Sequence, residues 1–319
     1  MMLSDETLAR IARLLDAHDV EHGRLRDVST PNCLNKHVSD GSKVFVKVEG
    51  PQAGVLDGEP VWARWAHASG LSPVRPLLDV PVGDGEITVL PFEHGVFCRA
   101  GSRLDQVNAM IGLLSRLRAT PSPASAPITD PALYVSLVEG RIETLGSAVP
   151  SGLVEVLLSA AHRAATDFAD AAQTALLQPS HGDAHLVNMV ATLDGRHHLV
   201  DWPSFGLAPK EWDLGQLLRA LALHSTDLAP DYRTSLLDRV ITAESDVDLS
   251  ILDATLRLRS ASWATFRLIG GEDPGSPLLT HAAALAERGL DLLAAQGSHK
   301  AVRATSSARH YSPVQSAAA

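Results

Sequence analysis

Residues 178–202 of the 319-residue chain, QPSHGDAHLVNMVATLDGRHHLVDW, constrain its fold more than any other stretch. Four polar residues, His181, Asp183, Asn188 and Asp201, stand at the ends of short apolar runs that resemble β-strands. Polar and charged groups are costly to bury unless they bind something or one another. The stretch therefore predicts a loop and a hairpin that gather these side chains into one functional site.

The oxygen-bearing residues of this stretch match the needs of phosphoryl transfer. Asp183 follows Gly182, which permits a tight turn. A hairpin through TLDGRH would bring Asn188, where one strand begins, close to Asp201, where the next strand ends. Mg²⁺ prefers a few protein oxygens, with phosphate and water completing its shell. Asp183 would stay free to orient or deprotonate a hydroxyl, and a lysine elsewhere would bind the nucleotide phosphates.

Lys47 is the candidate for that lysine. It interrupts the apolar strand VFVKV, where a solvated lysine has little reason to be, and Glu59 opens the next predicted helix. In kinases such a pair positions the lysine on the α- and β-phosphates. The alternative is a lysine that faces solvent on an edge strand, but the polar set downstream favours the phosphate role.

The pattern of the chain predicts an α+β, bilobal architecture with a small β-rich N-terminal lobe and a large helical C-terminal lobe. The nucleotide-binding lobe would span residues 1–93, the helical lobe with the catalytic loop and substrate cleft residues 94–298, and a disordered tail residues 299–319. The small lobe would hold an opening helix, a hairpin turning at Asp40-Gly41, a helix ending at Gly70 and a further strand pair. Helices of the large lobe are predicted at 103–120, Ala132–Leu145, Gly152–Ala175, Glu211–Leu223, Pro230–Ile241, Leu249–Leu268 and Pro277–Ala295.

Composition narrows the classes of partner. A formal net charge of -10 argues against nucleic acid, because phosphate contacts need a surface rich in Lys and Arg. No apolar run approaches the roughly 20 residues that span a bilayer, and the acidic N-terminus does not resemble a secretory signal. The two cysteines, Cys33 and Cys98, are interpreted as unpaired thiols of a cytoplasmic protein, a monomer or a homodimer.

The motif HGDAHLVN…VDW…WDL resembles that of the aminoglycoside phosphotransferase and choline kinase-like family, which shares the protein-kinase fold. The resemblance covers roughly residues 25–295 and is strongest over 181–214. It implies that Asp183 is the catalytic base and that Asn188 and Asp201 are metal ligands. It also implies two residues that support the catalytic loop, His181 and Asp213.

The resemblance further implies an ATP or GTP site with Mg²⁺. Lys47 and Glu59 match the family's phosphate-binding ion pair. The chain has no Gly-rich loop before Lys47, so the segment STPNCLNKHV, with Asn32 and Asn35, is the candidate nucleotide loop.

The segment VLPFEHG resembles the hinge of that family, whose backbone reads the adenine edge. Leu90 and Phe92 are therefore the candidate adenine contacts.

The acceptor is less constrained than the reaction. Residues 227–253 hold seven acids against two arginines, and an acidic wall near Asp183 would favour a cationic, hydroxylated substrate such as an aminoglycoside-type antibiotic. The alternative is that these acids merely solvate helix faces. Further substrate-binding candidates are His185, Glu272 and Asp273. A metabolic kinase of an amino alcohol, homoserine or sugar is the second hypothesis, and choline is disfavoured because aromatic residues are only 4% of the chain.

Two other classes of protein were weighed. GDAH could belong to a binuclear metallophosphoesterase, but no GNH motif follows, and the DAH at 16–18 lies in an amphipathic helix. A catalytically inactive, nucleotide-binding regulatory protein on the same fold is a further alternative, although each expected catalytic residue is present.

Overall fold

The computed structural model describes residues 3–28, 36–41, 43–48, 59–73, 75, 77–82, 85–91, 96–97, 103–192, 195–244 and 246–297. For residues 36–37, 59–60, 78–82, 85–91 and 96–97 only the backbone is described. The proposed tail and the two cysteines lie outside these residues, as does the predicted lobe boundary at 93/94.

The small lobe is a five-stranded antiparallel sheet with one helix against it. Helix α1 begins after Ser4, whose hydroxyl accepts a hydrogen bond from Thr7 N as an N-cap. The strand order is β1-β2-β3-β5-β4. The elements are α1 (Asp5–Ala17), β1 (Arg26–Asp27), β2 (Lys36–Ser39), β3 (Val44–Val48), β4 (Leu78–Val82) and β5 (Gly85–Pro91).

The predicted hairpin between β2 and β3 is confirmed, and its turn chemistry explains it. Asp40 Oδ1 accepts hydrogen bonds from Lys43 N at 2.8 Å and Val44 N at 3.1 Å, and Gly41 has φ +78°. Val44 and Val46 alternate onto one face and pack with α1 in a small core. This sheet positions Lys47 on the opposite face, which looks toward the large lobe.

Helix α2 (Glu59–Ala68) connects the two lobes. It ends at Gly70, whose φ of +71° is the left-handed conformation predicted for a helix terminus. Trp62 and Trp65 on α2 pack on Phe205 with ring centroids 5.1 and 4.7 Å apart. The buried face of α2 therefore belongs to the core of the large lobe rather than to the small core.

The large lobe is helical, which confirms the predicted α+β, bilobal fold. Buried leucines and alanines of its central helix pair, α5 and α8, form the middle of the core. The helices are α3 (Arg103–Arg118), α4 (Pro131–Leu145), α5 (Ser151–Ala171), α6 (Glu211–His224), α7 (Pro230–Ile241), α8 (Leu249–Ile269), α9 (Pro277–Arg288) and α10 (Leu290–Ala295). No described helix of the lobes is both long and apolar enough to cross a membrane.

The single helix predicted over Pro277–Ala295 is wrong, because it divides at Gly289. Gly289 has φ +50°, and a Cβ there would lie 2.1 Å from Asp253 Oδ1. The same Asp253 oxygen accepts a hydrogen bond from Leu290 N at 2.7 Å, which caps α10.

Short strands carry the polar stretch of residues 178–202. They are β6 (Val96–Phe97), β7 (Gln178–Ser180), β8 (Met189–Ala191), β9 (His197–Leu199) and β10 (Gly206–Ala208). β8 and β9 form the predicted antiparallel hairpin. Two details differ from prediction: Asn188 closes a 3₁₀ turn just before β8, and Asp201 follows β9 with φ +69° instead of ending the strand.

Candidate functional site

His181 is a fully buried support of the loop that carries Asp183. Its Nε2 lies 3.0 Å from Val200 O, its Nδ1 accepts from Asp183 N at 3.4 Å, and its ring packs on Trp202 with centroids 4.6 Å apart. Burial lowers the pKa of His181 below its ordinary value, although Asp213 opposes the shift. A neutral imidazole that ties the loop to the strand end has a structural role, as the sequence suggested.

Asp213, in the first turn of α6, holds the same loop from the other side. Its two carboxylate oxygens accept backbone hydrogen bonds from His181 N at 3.0 Å and Gly182 N at 2.9 Å. Gly182 has φ +79°, and a Cβ there would lie 1.9 Å from Ser204 O. Only glycine fits this turn, which places Asp183 at the edge of the cleft between the lobes.

The carboxylate of Asp183 is held by four side chains. Its Oδ1 accepts from Gln216 Nε2 and, at 3.4 Å, from Arg259 Nη2, while its Oδ2 accepts from Asn188 Nδ2 at 3.2 Å and lies 3.3 Å from His185 Nε2. Burial alone would raise the pKa of Asp183, but His185 and the nearby arginines outweigh it, and the pKa falls below its ordinary value. Asp183 is an oriented, ionised carboxylate.

Three of the residues around Asp183 were missed by the sequence interpretation. Gln216 and Arg219 stand three and six residues after Asp213 on α6, which turns them to the same face of that helix. Arg219 Nε and Arg259 Nε both donate to Gln216 Oε1, at 3.0 and 2.9 Å, and Arg259 also donates to Gly182 O. The helical spacing after WDL was the available signal for Gln216 and Arg219. No local signal marked Arg259 on α8.

Asn188 and Asp201 lie beside one another where β8 and β9 meet. Val200 N donates to Asn188 O at 3.0 Å, and Asp201 is the next residue. The Nδ2 group of Asn188 donates hydrogen bonds to Asp183. The amide oxygen of Asn188 accepts no hydrogen bond from any residue that the structure describes, so it is available to a ligand. An amide oxygen beside a carboxylate is a donor set that fits Mg²⁺.

Lys47 reaches across from β3 to Asp201. The lysine is only 7% exposed, and its ammonium donates to Asp201 Oδ1 in an ion pair that joins the two lobes. Burial alone would raise the pKa of Asp201, but Lys47 outweighs it and the pKa falls below its ordinary value. Lys47 therefore does not face solvent on an edge, and that alternative is wrong.

The other residues that were predicted to bind the nucleotide are described less fully. Glu59 begins α2, and its side chain lies outside the described part. Leu90 lies in β5 opposite Phe45, with only its backbone described. Asn32, Asn35 and Phe92 fall outside the described residues, so their nucleotide roles stay predictions.

The substrate candidates differ in where they lie. His185 contacts Asp183 directly. Glu272 pairs with Arg267, and Asp273 accepts from Gly275 N at 3.0 Å in an exposed turn. Arg267 Cζ lies 5.6 Å from the ring centroid of Trp263, so this arginine links Glu272 to that aromatic ring.

Four of the seven acids of residues 227–253 do not contribute to the acidic wall that was expected near Asp183. Glu244 pairs with Arg118 and Lys210, and Asp246 pairs with Lys210. Asp248 caps α8, and Asp253 pairs with Arg257 and caps α10. These four acids satisfy helix ends, arginines or a lysine, so they give no support to a cationic acceptor.

Comparison with known proteins assigns the class. The bilobal fold and the site define a small-molecule phosphotransferase. A family model, described as the phosphotransferase enzyme family APH, matches residues 24–254, and the chain belongs to this family. Membership confirms the resemblance stated above and excludes the metallophosphoesterase. No curated protein matches the sequence of this chain significantly.

Solved structures of low sequence identity share the fold. Choline kinase LicA from Streptococcus pneumoniae is 15% identical, with a TM-score of 0.63 over 91% of this chain and 100% of that one. Aminoglycoside phosphotransferase APH(3'')-Id from Streptomyces rimosus, complexed with ADP and streptomycin, is 18% identical, with a TM-score of 0.60 over 80% and 98%. Amicoumacin kinase hAmiN, in complex with AMP-PNP, Ca²⁺ and Ami, is 15% identical, with a TM-score of 0.61 over 89% of this chain and 96% of that one.

Proposed function

We propose that the protein transfers the γ-phosphate of Mg²⁺-bound ATP, or GTP, to a hydroxyl of a small molecule. The observation that carries this proposal is the environment of Asp183. Its carboxylate is held by Gln216, Arg259 and Asn188, and it stands beside the Lys47–Asp201 pair that marks the nucleotide side of the cleft. This is the arrangement that in-line phosphoryl transfer needs.

The residues would divide the work as follows. Lys47 would bind the α- and β-phosphates, and Asn188 and Asp201 would hold Mg²⁺, which supplies charge neutralisation at the phosphates when bound. Asp183 would accept a hydrogen bond from the acceptor hydroxyl, and its low pKa favours orientation of that hydroxyl over early proton removal. Glu59, Asn32, Asn35, Leu90 and Phe92 complete the proposed nucleotide site.

Two acceptor hypotheses follow from the family. The first is an antibiotic, as in the structural neighbours that bind streptomycin or amicoumacin. The second is a metabolic alcohol, since choline kinase LicA has the same fold. A cytoplasmic location and a monomeric or homodimeric state remain predictions.

ADP release over a panel of hydroxylated compounds tests the proposal. Wild-type protein should release ADP only with both Mg²⁺ and an acceptor. Asp183→Asn should lower kcat by about 100-fold or more, the usual contribution of a positioned proton acceptor, while Mg·ATP binding by calorimetry stays within about 3-fold of wild type. Asp170→Asn, an exposed aspartate on α5, is the matched control.

The inactive regulatory protein makes a different forecast. It would bind Mg·ATP with no turnover for any acceptor, and Asp183→Asn would then change nothing measurable. Equal turnover by wild type and Asp183→Asn would refute the assigned role of Asp183 outright.

A further inference from the structure

We propose that the acceptor carries an anionic group, a carboxylate or a phosphate, near the hydroxyl that receives the phosphoryl group. This inference rests on the proposed function and names its substrate class. The observation behind it is an excess of positive charge on the acceptor side of Asp183, within a chain whose formal net charge is -10.

The innermost part of this excess consists of two buried guanidinium groups near one carboxylate. Arg219 is 4% exposed and Arg259 is 7% exposed. Both donate to the neutral Gln216, and Asp183 is the acid that faces them. Burial lowers the pKa of Arg219 to about 9, with Arg259 adding to the shift and Asp183 opposing it. Arg219 stays charged at neutral pH, beside Arg259 and the carboxylate of Asp183.

One hydrogen-bond donor of this pair has no partner. Arg219 Nη1 is buried and makes no hydrogen bond to any residue within the described ranges. Buried donors are normally satisfied, and an orphaned one on a charged group is costly. Arg259 differs, because its Cζ lies 4.7 Å from the ring centroid of Tyr134 and its Nη2 group donates a hydrogen bond to Gly182 O. Arg219 is thus the cation with spare capacity for a ligand.

The positive charge continues outward from Arg219 over a partly exposed aromatic ring. The guanidinium carbons of Arg219 and Arg267 lie 5.5 and 5.6 Å from the centroid of Trp263. His224, whose pKa burial lowers to about 4 and which is therefore neutral at pH 7, meets that ring edge-on at 5.5 Å. Arg141, with Cζ 5.6 Å from the Phe266 centroid, extends the same face of α8. An aromatic and cationic wall favours a ring-bearing or extended acid.

Glu272 offsets the charge of Arg267 and does not make this wall acidic. It pairs with Arg267, and the hydrogen bond from Arg267 lowers the pKa of Glu272, so the pair is neutral on balance. Four of the seven acids of residues 227–253 are bound to other arginines, a lysine or helix ends, as described above. A polycation would therefore meet Arg219 and Arg259 beside the carboxylate of Asp183, and like charges at a site cost several kcal/mol.

An anionic group fits where a polycation does not. A carboxylate or phosphate can take paired hydrogen bonds from a guanidinium group, which gives both attraction and orientation. Held by Arg219 and Arg267, it would set the distance between its own hydroxyl and Asp183. The alternative is that these arginines attract the γ-phosphate of the nucleotide, and the experiment separates the two.

The test compares three panels of hydroxylated compounds of similar size, anionic, neutral and cationic, in the ADP-release assay with wild-type enzyme and Mg·ATP. Glucuronate, glucose and glucosamine form one matched set. Where a compound is not turned over, its binding is measured by calorimetry with Mg·AMP-PNP present. We expect the highest kcat/KM, or the tightest binding, in the anionic panel. A best ligand from the cationic or neutral panel, or no binding by any hydroxy acid, overturns the proposal.

Two variants give effects of opposite sign on the anionic acceptor. Arg267→Gln should raise its KM about 10-fold, the loss expected for a charged hydrogen bond, with a smaller change in kcat. Glu272→Gln removes the carboxylate that is paired with Arg267 and should lower that KM. A cationic acceptor reverses both signs. Arg163→Gln, an exposed arginine on α5 that contacts Ser159, is the matched control.

The remaining outcomes identify which claim fails. A rise in KM for ATP alone in Arg267→Gln, or in a folded Arg219→Met variant, would assign these arginines to the nucleotide and overturn the acceptor proposal. If the wild-type protein does not bind Mg·ATP, the proposed function itself is refuted, and the acceptor inference with it.

Discussion

Replacing Asp213 by Asn should both destabilise the protein and misplace the catalytic loop. Asp213 is 1% exposed, and its carboxylate accepts two backbone hydrogen bonds, from His181 N and Gly182 N. Hydrogen bonds to a charged group contribute about 1.5–3 kcal/mol each. Asn retains one oxygen acceptor but turns an NH₂ group toward the second N–H. We therefore expect a loss of about 2–4 kcal/mol, with one buried backbone donor left unsatisfied.

Urea unfolding followed by circular dichroism measures this loss, and ADP release measures the effect on kcat. Asp248→Asn is a matched control, because Asp248 also accepts two backbone N–H groups, from Ser250 and Ile251, but at an exposed helix N-cap. Asn is as good an N-cap as Asp, so that variant should lose no more than about 0.5 kcal/mol. Equal, small losses in both variants would refute the reasoning that burial and charge make the Asp213 bonds strong.

Further predictions concern the same loop and the nucleotide side. Gly182→Ala should lower the free energy of unfolding by more than about 4 kcal/mol and yield little folded protein, because its Cβ would overlap Ser204 O. The control is Gly195→Ala, where φ is +78° but the space is open, and it should lose only about 1–2 kcal/mol. Similar yields of the two variants would contradict this prediction. Burial keeps the folded-state pKa of His181 below about 6.5, so the unfolded chain binds a proton first as the pH falls. The free energy of unfolding should therefore drop by up to about 1.4 kcal/mol per pH unit below about 6.5. His181→Gln should remove that part of the slope in urea titrations at pH 5 and 7, whereas an unchanged slope would show that other groups cause it. Lys47→Met should raise the KM for ATP about 10-fold or more, with no such effect in a control variant of an exposed lysine, and an unchanged KM would remove it from the nucleotide site.

Local features of the sequence were enough to predict the hairpins and the close approach of the polar residues in 178–202. The Asp40-Gly41 turn and the alternating valines act within a dozen residues, so their outcome depends little on the rest of the fold. Asn188 and Asp201 meet because one short hairpin joins them. The error at Asp201 was small but real: β9 ends two residues earlier, and the carboxylate reaches Lys47 from a left-handed backbone conformation.

Contacts across long stretches of chain could not be predicted in the same way. Gln216 and Arg259 reach Asp183 across 33 and 76 residues, and no periodicity in one helix reveals which face meets a distant loop. The break at Gly289 has the same origin, because an isolated glycine in a helical pattern becomes a break only where Asp253 stands opposite. The acidic wall was predicted from residues 227–253 for the same reason: the partners of Glu244 and Asp246, which are Arg118 and Lys210, lie outside that stretch of chain.

The packing of α2 bears on how the two lobes could move. Trp62 and Trp65 attach this helix to the aromatic group that follows Asp201, while Lys47 belongs to the five-stranded sheet. A rocking motion of the sheet would therefore leave α2 behind with the large lobe. The separation of Lys47 from both Asp201 and the start of α2 would change together. Opening of the cleft would therefore also take apart the proposed phosphate-binding set of Lys47, Glu59 and Asp201.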